Sequence, residues 1–149
     1  MSAQTVMDPI RFTREAGCLA GEFALAEVGR LRDELAGDQG VVTYRLAGAL
    51  VRGRPALRLL VEADPTLICQ RCLKPYVHPL HSEGVIFLAR NAAELERWES
   101  HDPLMDVIVA EAHMDVRMLV EDELLLSLPV APRHEEGACQ QTEIAQGAN

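Results

Sequence analysis

The stretch of residues 41–89 most constrains the fold, because strand-like runs alternate in it with turn residues. Residues 41–51 are rich in β-branched and apolar side chains, and residues 57–63 alternate, if imperfectly, between apolar and charged ones. The Gly and Pro at residues 52–55 interrupt the two runs, which predicts that they pair as an antiparallel hairpin. Residues 76–89 predict a further extended segment after the next turn.

Helices are expected on both sides of this stretch. Apolar residues within 23–35 recur at helical spacing, which predicts a short amphipathic helix that Gly37 ends. Residues 92–100 indicate a short acidic helix or loop, and residues 106–110 indicate a strand. The chain therefore mixes both kinds of secondary structure without a regular βαβ alternation.

The last predicted helix covers residues 116–128. Asp115 precedes it and is placed to act as its N-cap, because a carboxylate at that position accepts hydrogen bonds from the first turn. The helical spacing puts the apolar side chains on one face. Arg117, Glu121 and Asp122 are then expected to face water.

Together these elements predict an α+β fold, a single domain with an antiparallel β-meander or an open barrel and two or three helices. The chain has 149 residues, 48% hydrophobic and 25% charged, which suits one globular domain spanning residues 1–149. Residues 135–149 are small and polar without periodicity, so they are predicted to form a mobile tail. The sequence has no long apolar run and no signal-peptide pattern, which predicts a soluble cytoplasmic protein.

The net charge of −9 is unevenly distributed. Residues 41–80 hold six Arg and Lys against two Asp and Glu, whereas residues 81–149 hold four against fourteen. A basic block can contact nucleic-acid phosphates, although charges on solvated strand faces would produce the same pattern. Aromatic residues make up only 4%, so few side chains are available to stack on nucleic-acid bases. The predicted RNA-contacting residues are Arg52, Arg54, Arg71 and Lys74, within a block that also contains Arg45 and Arg58.

Cys69 and Cys72 form a C-x-x-C pair. Two thiolates at this spacing can bind one metal ion, and in a cytoplasmic protein with four cysteines a metal site is favoured over a disulfide. Zinc takes four ligands in a tetrahedron. His134 and Cys139, at His-x4-Cys spacing, supply a second pair that completes a Cys3His zinc site.

Other assignments of these residue types stay open. The C-x-x-C pair can consist of ordinary reduced core cysteines, and the distant His-x4-Cys pair can be incidental. His78 and His81 are reserve ligands, although their spacing in a strand points them to different sides. Cys18 is isolated in the sequence and is interpreted as a small core residue.

Enzymatic chemistry is not predicted. A thioredoxin-like thiol would begin a helix, but Pro75 disfavours helical geometry at Lys74, so a thiol-disulfide oxidoreductase is only the third hypothesis. The consecutive acidic side chains at 121–123 point in different directions on a helix and cannot converge on one substrate atom. The sequence also lacks a phosphate-binding Gly-rich loop and a nucleophile elbow.

Two motifs resemble a known family. Residues 67–75, L-I-C-Q-R-C-L-K-P, are followed by D-V-R-M-L-V-E-D-E-L-L-L-S-L-P-V-A-P-R-H at residues 115–134 and then by Cys139. In this order they resemble the bacterial YceD family, the large ribosomal RNA subunit accumulation proteins. Similarity extends to Asp8-Pro9 and to residues 21–35.

The resemblance implies a role in the synthesis, processing or stability of large-subunit (23S) ribosomal RNA, with a metal site and nucleic-acid binding. Under it, Arg71 falls on a recurrent cation of the family, and Cys69, Cys72, His134 and Cys139 fall on its recurrent Cys and His positions.

The leading hypothesis is therefore a non-enzymatic ribosome-biogenesis factor that binds zinc and contacts ribosomal RNA or its precursor. The alternative is an adaptor whose acidic C-terminal third binds basic ribosomal proteins or RNA-processing enzymes, because a net charge of −9 repels RNA outside the basic block.

Overall fold

The predicted hairpin forms the centre of the protein in a computed structural model, which describes residues 6–37 and 39–133. Its two strands join through Arg52 and Gly53, whose φ angles of 54° and 77° suit a tight two-residue turn of type I′. In chain order the elements are β1 (Val6–Met7), α1 (Pro9–Arg14), β2 (Cys18–Ala24), β3 (Val41–Val51), β4 (Arg54–Ala63), β5 (Thr66–Ile68), β6 (Pro75–Val77), β7 (Leu80–Ala89), α2 (Ala92–His101), β8 (Val107–Val109), β9 (Met114–Asp115) and α3 (Val116–Ser127).

Five strands form the main sheet in the order β2-β3-β4-β7-β8. Neighbouring strands are antiparallel except β7 and β8, which are parallel and connected through α2. Two short pairs, β1 with β9 and β5 with β6, lie outside this sheet. The predicted α+β class is confirmed, and within the described residues the sheet does not close into a barrel.

The core lies between one face of the main sheet and helices α1 and α3. Leu46 and Leu59 are register partners on this face and are buried, together with Val116, Val120 and Leu124 of α3. Helix α1 approaches the same face closely at Gly48. A Cβ there would lie 2.7 Å from the Phe12 carbonyl oxygen, so only glycine admits the helix backbone at this distance.

The helix predicted within residues 23–35 is wrong. Strand β2 continues to Ala24, and two 3₁₀ turns follow at Leu25–Glu27 and Gly29–Leu31. Leu25, Val28 and Leu31 are buried and recur every three residues, which is the period of a 3₁₀ helix rather than of an α-helix.

The prediction that Arg117 and Glu121 face water is also wrong. Their side chains are only 18% and 12% exposed and form an ion pair of 2.9 Å. The Arg117 guanidinium also lies 4.6 Å from the Phe23 ring centroid, and Arg30 contacts Glu121 at 3.3 Å and Asp122 at 2.8 Å. Only Asp122 of the three is exposed as expected. The ion pairs of Arg30 therefore hold α3 against the segment of two 3₁₀ turns.

The remaining predicted elements agree with the structure to within a few residues. Asp115 caps α3 by accepting hydrogen bonds from the N–H groups of Arg117 and Met118. None of the helices in residues 6–37 and 39–133 is long and apolar enough to cross a membrane. The predicted mobile tail at 135–149 lies outside the described residues.

Candidate functional site: the cysteine knuckle and the open sheet face

The C-x-x-C pair lies in the turn between β5 and β6, which we term the cysteine knuckle (residues 69–74). The Leu73 N–H donates a hydrogen bond to the Cys69 carbonyl at 2.8 Å, and the Cys69 N–H donates to the Lys74 carbonyl at 2.9 Å. Leu73 has a φ of 62°, a left-handed conformation that costs a non-glycine residue roughly 1 kcal/mol. In this tight turn Cys69 is buried and Cys72 is half-buried.

The knuckle is also joined to the end of the described chain. The Gln70 N–H donates a hydrogen bond to the Pro132 carbonyl at 2.7 Å. His134 follows Pro132 by two residues, but His134 and Cys139 lie outside the described residues. Within residues 6–37 and 39–133, no group of three or more His, Cys, Asp or Glu could hold a metal ion. The structure thus places Cys69 and Cys72 in one tight turn, and the zinc-ligand set stays a prediction.

The reserve ligands have other contacts. The His78 ring lies edge-on to the Tyr76 ring, with centroids 5.9 Å apart, and its Nδ1 is 3.3 Å from the Tyr76 hydroxyl. His81 lies on the main sheet between Glu62 and Glu83, at 3.1 Å from Nδ1 and 3.3 Å from Nε2. The hydrogen bonds that the protonated His81 ring donates, first that to Glu62 and then that to Glu83, raise the pKa of His81 above its usual value.

A helix does not follow the C-x-x-C pair, because strand β6 begins at Pro75. The positive end of a helix is one of the features that lower a redox thiol's pKa, and the hairpin turn does not supply it. The buried position of Cys69 also limits access of a disulfide substrate to its sulfur. The geometry therefore favours a structural turn over a thioredoxin-like site.

The four predicted RNA-contacting cations lie in two groups. Arg52 is exposed in the β3–β4 turn, and the Arg54 guanidinium lies 4.7 Å from the Trp98 ring centroid. Arg71 is exposed in the cysteine knuckle, whereas the Lys74 ammonium is buried without a hydrogen-bond partner among the described residues. Strand β4, ten residues and about 30 Å long, begins at Arg54 and leads along the chain toward the knuckle that carries the second group.

Two further arginines of the basic block lie between these ends, on the second face of the main sheet. Arg45 of β3 and Arg58 of β4 point away from the core, because side chains alternate along a strand. Helix α2 covers only one end of this face, where Arg54 contacts Trp98. The rest, which we term the open face, forms a groove of about 700 Å³ lined by Arg45, Arg58, Ala20, Leu60, Glu83 and Val85.

Cys18 also lines this groove and is exposed, so its interpretation as a core residue is wrong. Its register partner is Ala47, a small residue on the open side of β3. The alternation of residues 57–63 could have revealed the open face, since Arg58, Leu60 and Glu62 share one side of β4. The sequence alone could not tell whether another element covers that side.

Comparison with known proteins gives the following similarities. The profile of the family described as "Large ribosomal RNA subunit accumulation protein YceD" matches residues 57–149, more than half of this chain. A curated protein of that name from Haemophilus influenzae is 32% identical over 85 residues, which cover 54% of this chain and 45% of the relative. The chain thus spans about half the length of that relative. No solved structure matches the chain.

Proposed function

This chain belongs to the YceD family, and from that premise we propose that it acts in the accumulation of large-subunit (23S) ribosomal RNA, in its synthesis, processing or stability. The family match over residues 57–149 is the observation that carries this proposal. The matched segment contains the cysteine knuckle and α3. In this proposal the protein has no catalytic activity of its own and acts by binding.

We further propose that Cys69, Cys72, His134 and Cys139 bind one zinc ion. The hydrogen bond from Gln70 to the Pro132 carbonyl supports this, because it holds the chain beside the knuckle two residues before His134. Structural zinc contributes on the order of 10 kcal/mol to folding, similar to the stability of a whole domain.

The buried Lys74 ammonium is consistent with such a site. Three thiolates and one Zn²⁺ leave a net negative charge, and Lys74 lies in the same turn as two of the thiols. An isolated buried ammonium is costly, so a nearby anionic site would offset its burial.

Metal content tests the zinc proposal. Protein purified under reducing conditions without chelator is expected to contain about one equivalent of zinc, and Cys69→Ser or His134→Ala is expected to lose it. Cys18→Ser is the matched control, because Cys18 is exposed on the open face and should not affect the metal. Less than about half an equivalent in the wild type would contradict the proposal.

We propose that Arg52, Arg54 and Arg71 contact RNA phosphates. Arg52 and Arg71 are exposed and Arg54 is partly exposed, so their guanidinium groups can reach a phosphate backbone.

The salt dependence of RNA binding tests these contacts. Replacing Arg52, Arg54 and Arg71 with Gln is expected to flatten the slope of log K against log salt by about one unit for each lost phosphate contact. Arg14→Gln with Arg32→Gln is the control, because both arginines are exposed and lie outside the basic block. An unchanged slope in the triple variant would remove these residues from the RNA interface.

The acidic surface supports a second candidate function, an adaptor for basic ribosomal proteins or RNA-processing enzymes. Glu96, Glu99, Asp106 and Glu111 are exposed, and none is ion-paired with another described residue. Unpaired surface carboxylates favour encounter with a basic partner. Partners that are retained in a pull-down after nuclease treatment would favour the adaptor over direct RNA binding.

A further inference from the structure

The open face carries two arginines that have no assigned role. Arg45 and Arg58 lie diagonally on neighbouring strands, because Arg45 is the register partner of Leu60 and Arg58 that of Ala47. Both are exposed, and neither makes an ion pair with another residue in the described part of the chain. A guanidinium group has a planar fork of donors that fits a carboxylate or phosphate, so this pair is suited to an anionic partner.

The surface around the arginines is aliphatic. Ala20 and Leu60 flank Arg45 across the sheet, and Ala47 and Val85 flank Arg58. Leu60 and Val85 are only partly buried, although they occupy the middle of a sheet. Covering apolar surface in such a position with a partner removes it from water and lowers the free energy of the complex. The groove therefore combines two cations with an apolar floor.

Several features disfavour nucleic acid as the partner of this groove. Among the described residues no aromatic ring lines it, so bases would find no ring to stack on. Glu22, Glu62 and Glu83 lie along one side of the open face, and their charge opposes a continuous phosphate backbone. Two separate carboxylates on an aliphatic scaffold would meet less of this repulsion than a continuous phosphate backbone, because each can be placed at one arginine.

The backbone of the partner must also be satisfied. An extended strand laid on a sheet face cannot hydrogen-bond to it, because the sheet's own N–H and C=O groups pair with neighbouring strands. A helix satisfies its backbone internally and packs on a sheet as a further layer. Helix carboxylates one turn apart have Cβ atoms about 5–6 Å apart, and diagonal cross-strand residues are about 7–8 Å apart. Two long arginine side chains can accommodate this difference.

We propose that the open face binds an amphipathic helix of a partner protein. Aliphatic side chains of that helix would pack against Leu60 and Val85, and two of its carboxylates, one turn apart, would pair with Arg45 and Arg58. The groove of about 700 Å³ is large enough for the side chains of such a helix face. This site is separate from the proposed RNA contacts and does not depend on them.

Selection from a displayed peptide library tests the proposal. The library presents random sequences of about 16 residues, roughly four helical turns, to the full wild-type chain. Selection is repeated against the variant Arg45→Gln with Arg58→Gln. Peptides specific to the wild type are expected to carry Leu, Ile or Val at helical spacing and two Asp or Glu three or four residues apart.

Affinity measurements on a selected synthetic peptide then assign the site. The double variant is expected to weaken binding at least about tenfold, and Ala47→Glu is expected to do the same by placing a carboxylate beside Arg58. Arg14→Gln with Arg32→Gln carries the same charge change away from the groove and should leave the affinity unchanged. Replacement of Arg52, Arg54 and Arg71 should also leave it unchanged, which separates this site from RNA binding.

Three outcomes would overturn the proposal. The first is a selection that yields no peptides that distinguish the wild type from the double variant. The second is equal binding of the selected peptides to the control and to the double variant. The third is competition by a ten-nucleotide oligouridine whose binding depends on Arg45 and Arg58 to the same degree as that of the peptide, which would assign the open face to nucleic acid instead.

Discussion

The Gln70 N–H and the Pro132 carbonyl are 2.7 Å apart, although 62 positions separate the two residues in sequence. The bond joins the cysteine knuckle to the chain that leaves α3. Because a backbone group of the knuckle itself makes the contact, ordering of the knuckle and ordering of the chain after α3 are expected to be coupled. A metal ion in the knuckle would strengthen this coupling.

Chelation is therefore expected to destabilise the protein. Removing the proposed zinc ion should lower the thermal midpoint by about 10 °C or more, since several kcal/mol would be lost and each kcal/mol shifts a domain of this size by about 2–4 °C. Thermal unfolding with and without a zinc chelator measures the effect. Cys69→Ser with Cys72→Ser should be insensitive to the chelator, whereas Cys18→Ser should respond like the wild type.

Gly48→Ala is expected to destabilise the protein by about 1–3 kcal/mol, because the added Cβ would lie 2.7 Å from the Phe12 carbonyl oxygen and 2.8 Å from the Thr13 Cα. Both atoms belong to the backbone of α1 and cannot move without shifting the helix. Gly84→Ala is the matched control in the same sheet, since its Cβ would meet nothing within 4 Å. Urea denaturation compares the two, and equal midpoints would contradict the close packing of α1.

Arg117→Met is expected to cost about 3 kcal/mol, because among the described residues it leaves the largely buried Glu121 with the longer contact to Arg30 as its one ion pair. It also removes the cation from the Phe23 ring. Urea denaturation measures the change. Arg11→Gln breaks an ion pair whose side chains are 72% and 60% exposed, so it should cost about 0–1 kcal/mol. A loss for Arg117→Met no larger than this would show that the α3 network contributes little.

His81 is expected to titrate above its usual pKa of about 6.5, because Glu62 and Glu83 accept hydrogen bonds from its protonated ring. The folded-state pKa is raised, so this contribution to stability is complete below about pH 6.5 and is lost as the pH rises through the folded pKa. Histidine NMR signals measured against pH report the midpoint. Glu62→Gln with Glu83→Gln should lower it, and a wild-type midpoint at or below 6.5 would refute the cluster.

Elements with strong local signals were predicted well. Val41–Val51 and its partner strand follow from β-branched residues on both sides of a Gly-containing turn. Helix α3 follows from Asp115 and the helical spacing of apolar residues behind it. The helix predicted within residues 23–35 failed because Ala24, Val28, Leu31 and Leu35 follow an α-helical spacing in the sequence, whereas tertiary packing buries Leu25, Val28 and Leu31, which follow a 3₁₀ period.

In the candidate site, too, some features follow from the sequence and others only from the tertiary structure. The sequence by itself determined that Cys69 and Cys72 share a tight turn and that Arg45 and Arg58 belong to the basic block, because spacing and composition are local properties. Only the tertiary structure decided that Pro132 returns to the knuckle and that the described residues leave one sheet face open. Those relations depend on which surfaces α1, α2 and α3 cover, and that choice is made by packing between residues far apart in the chain.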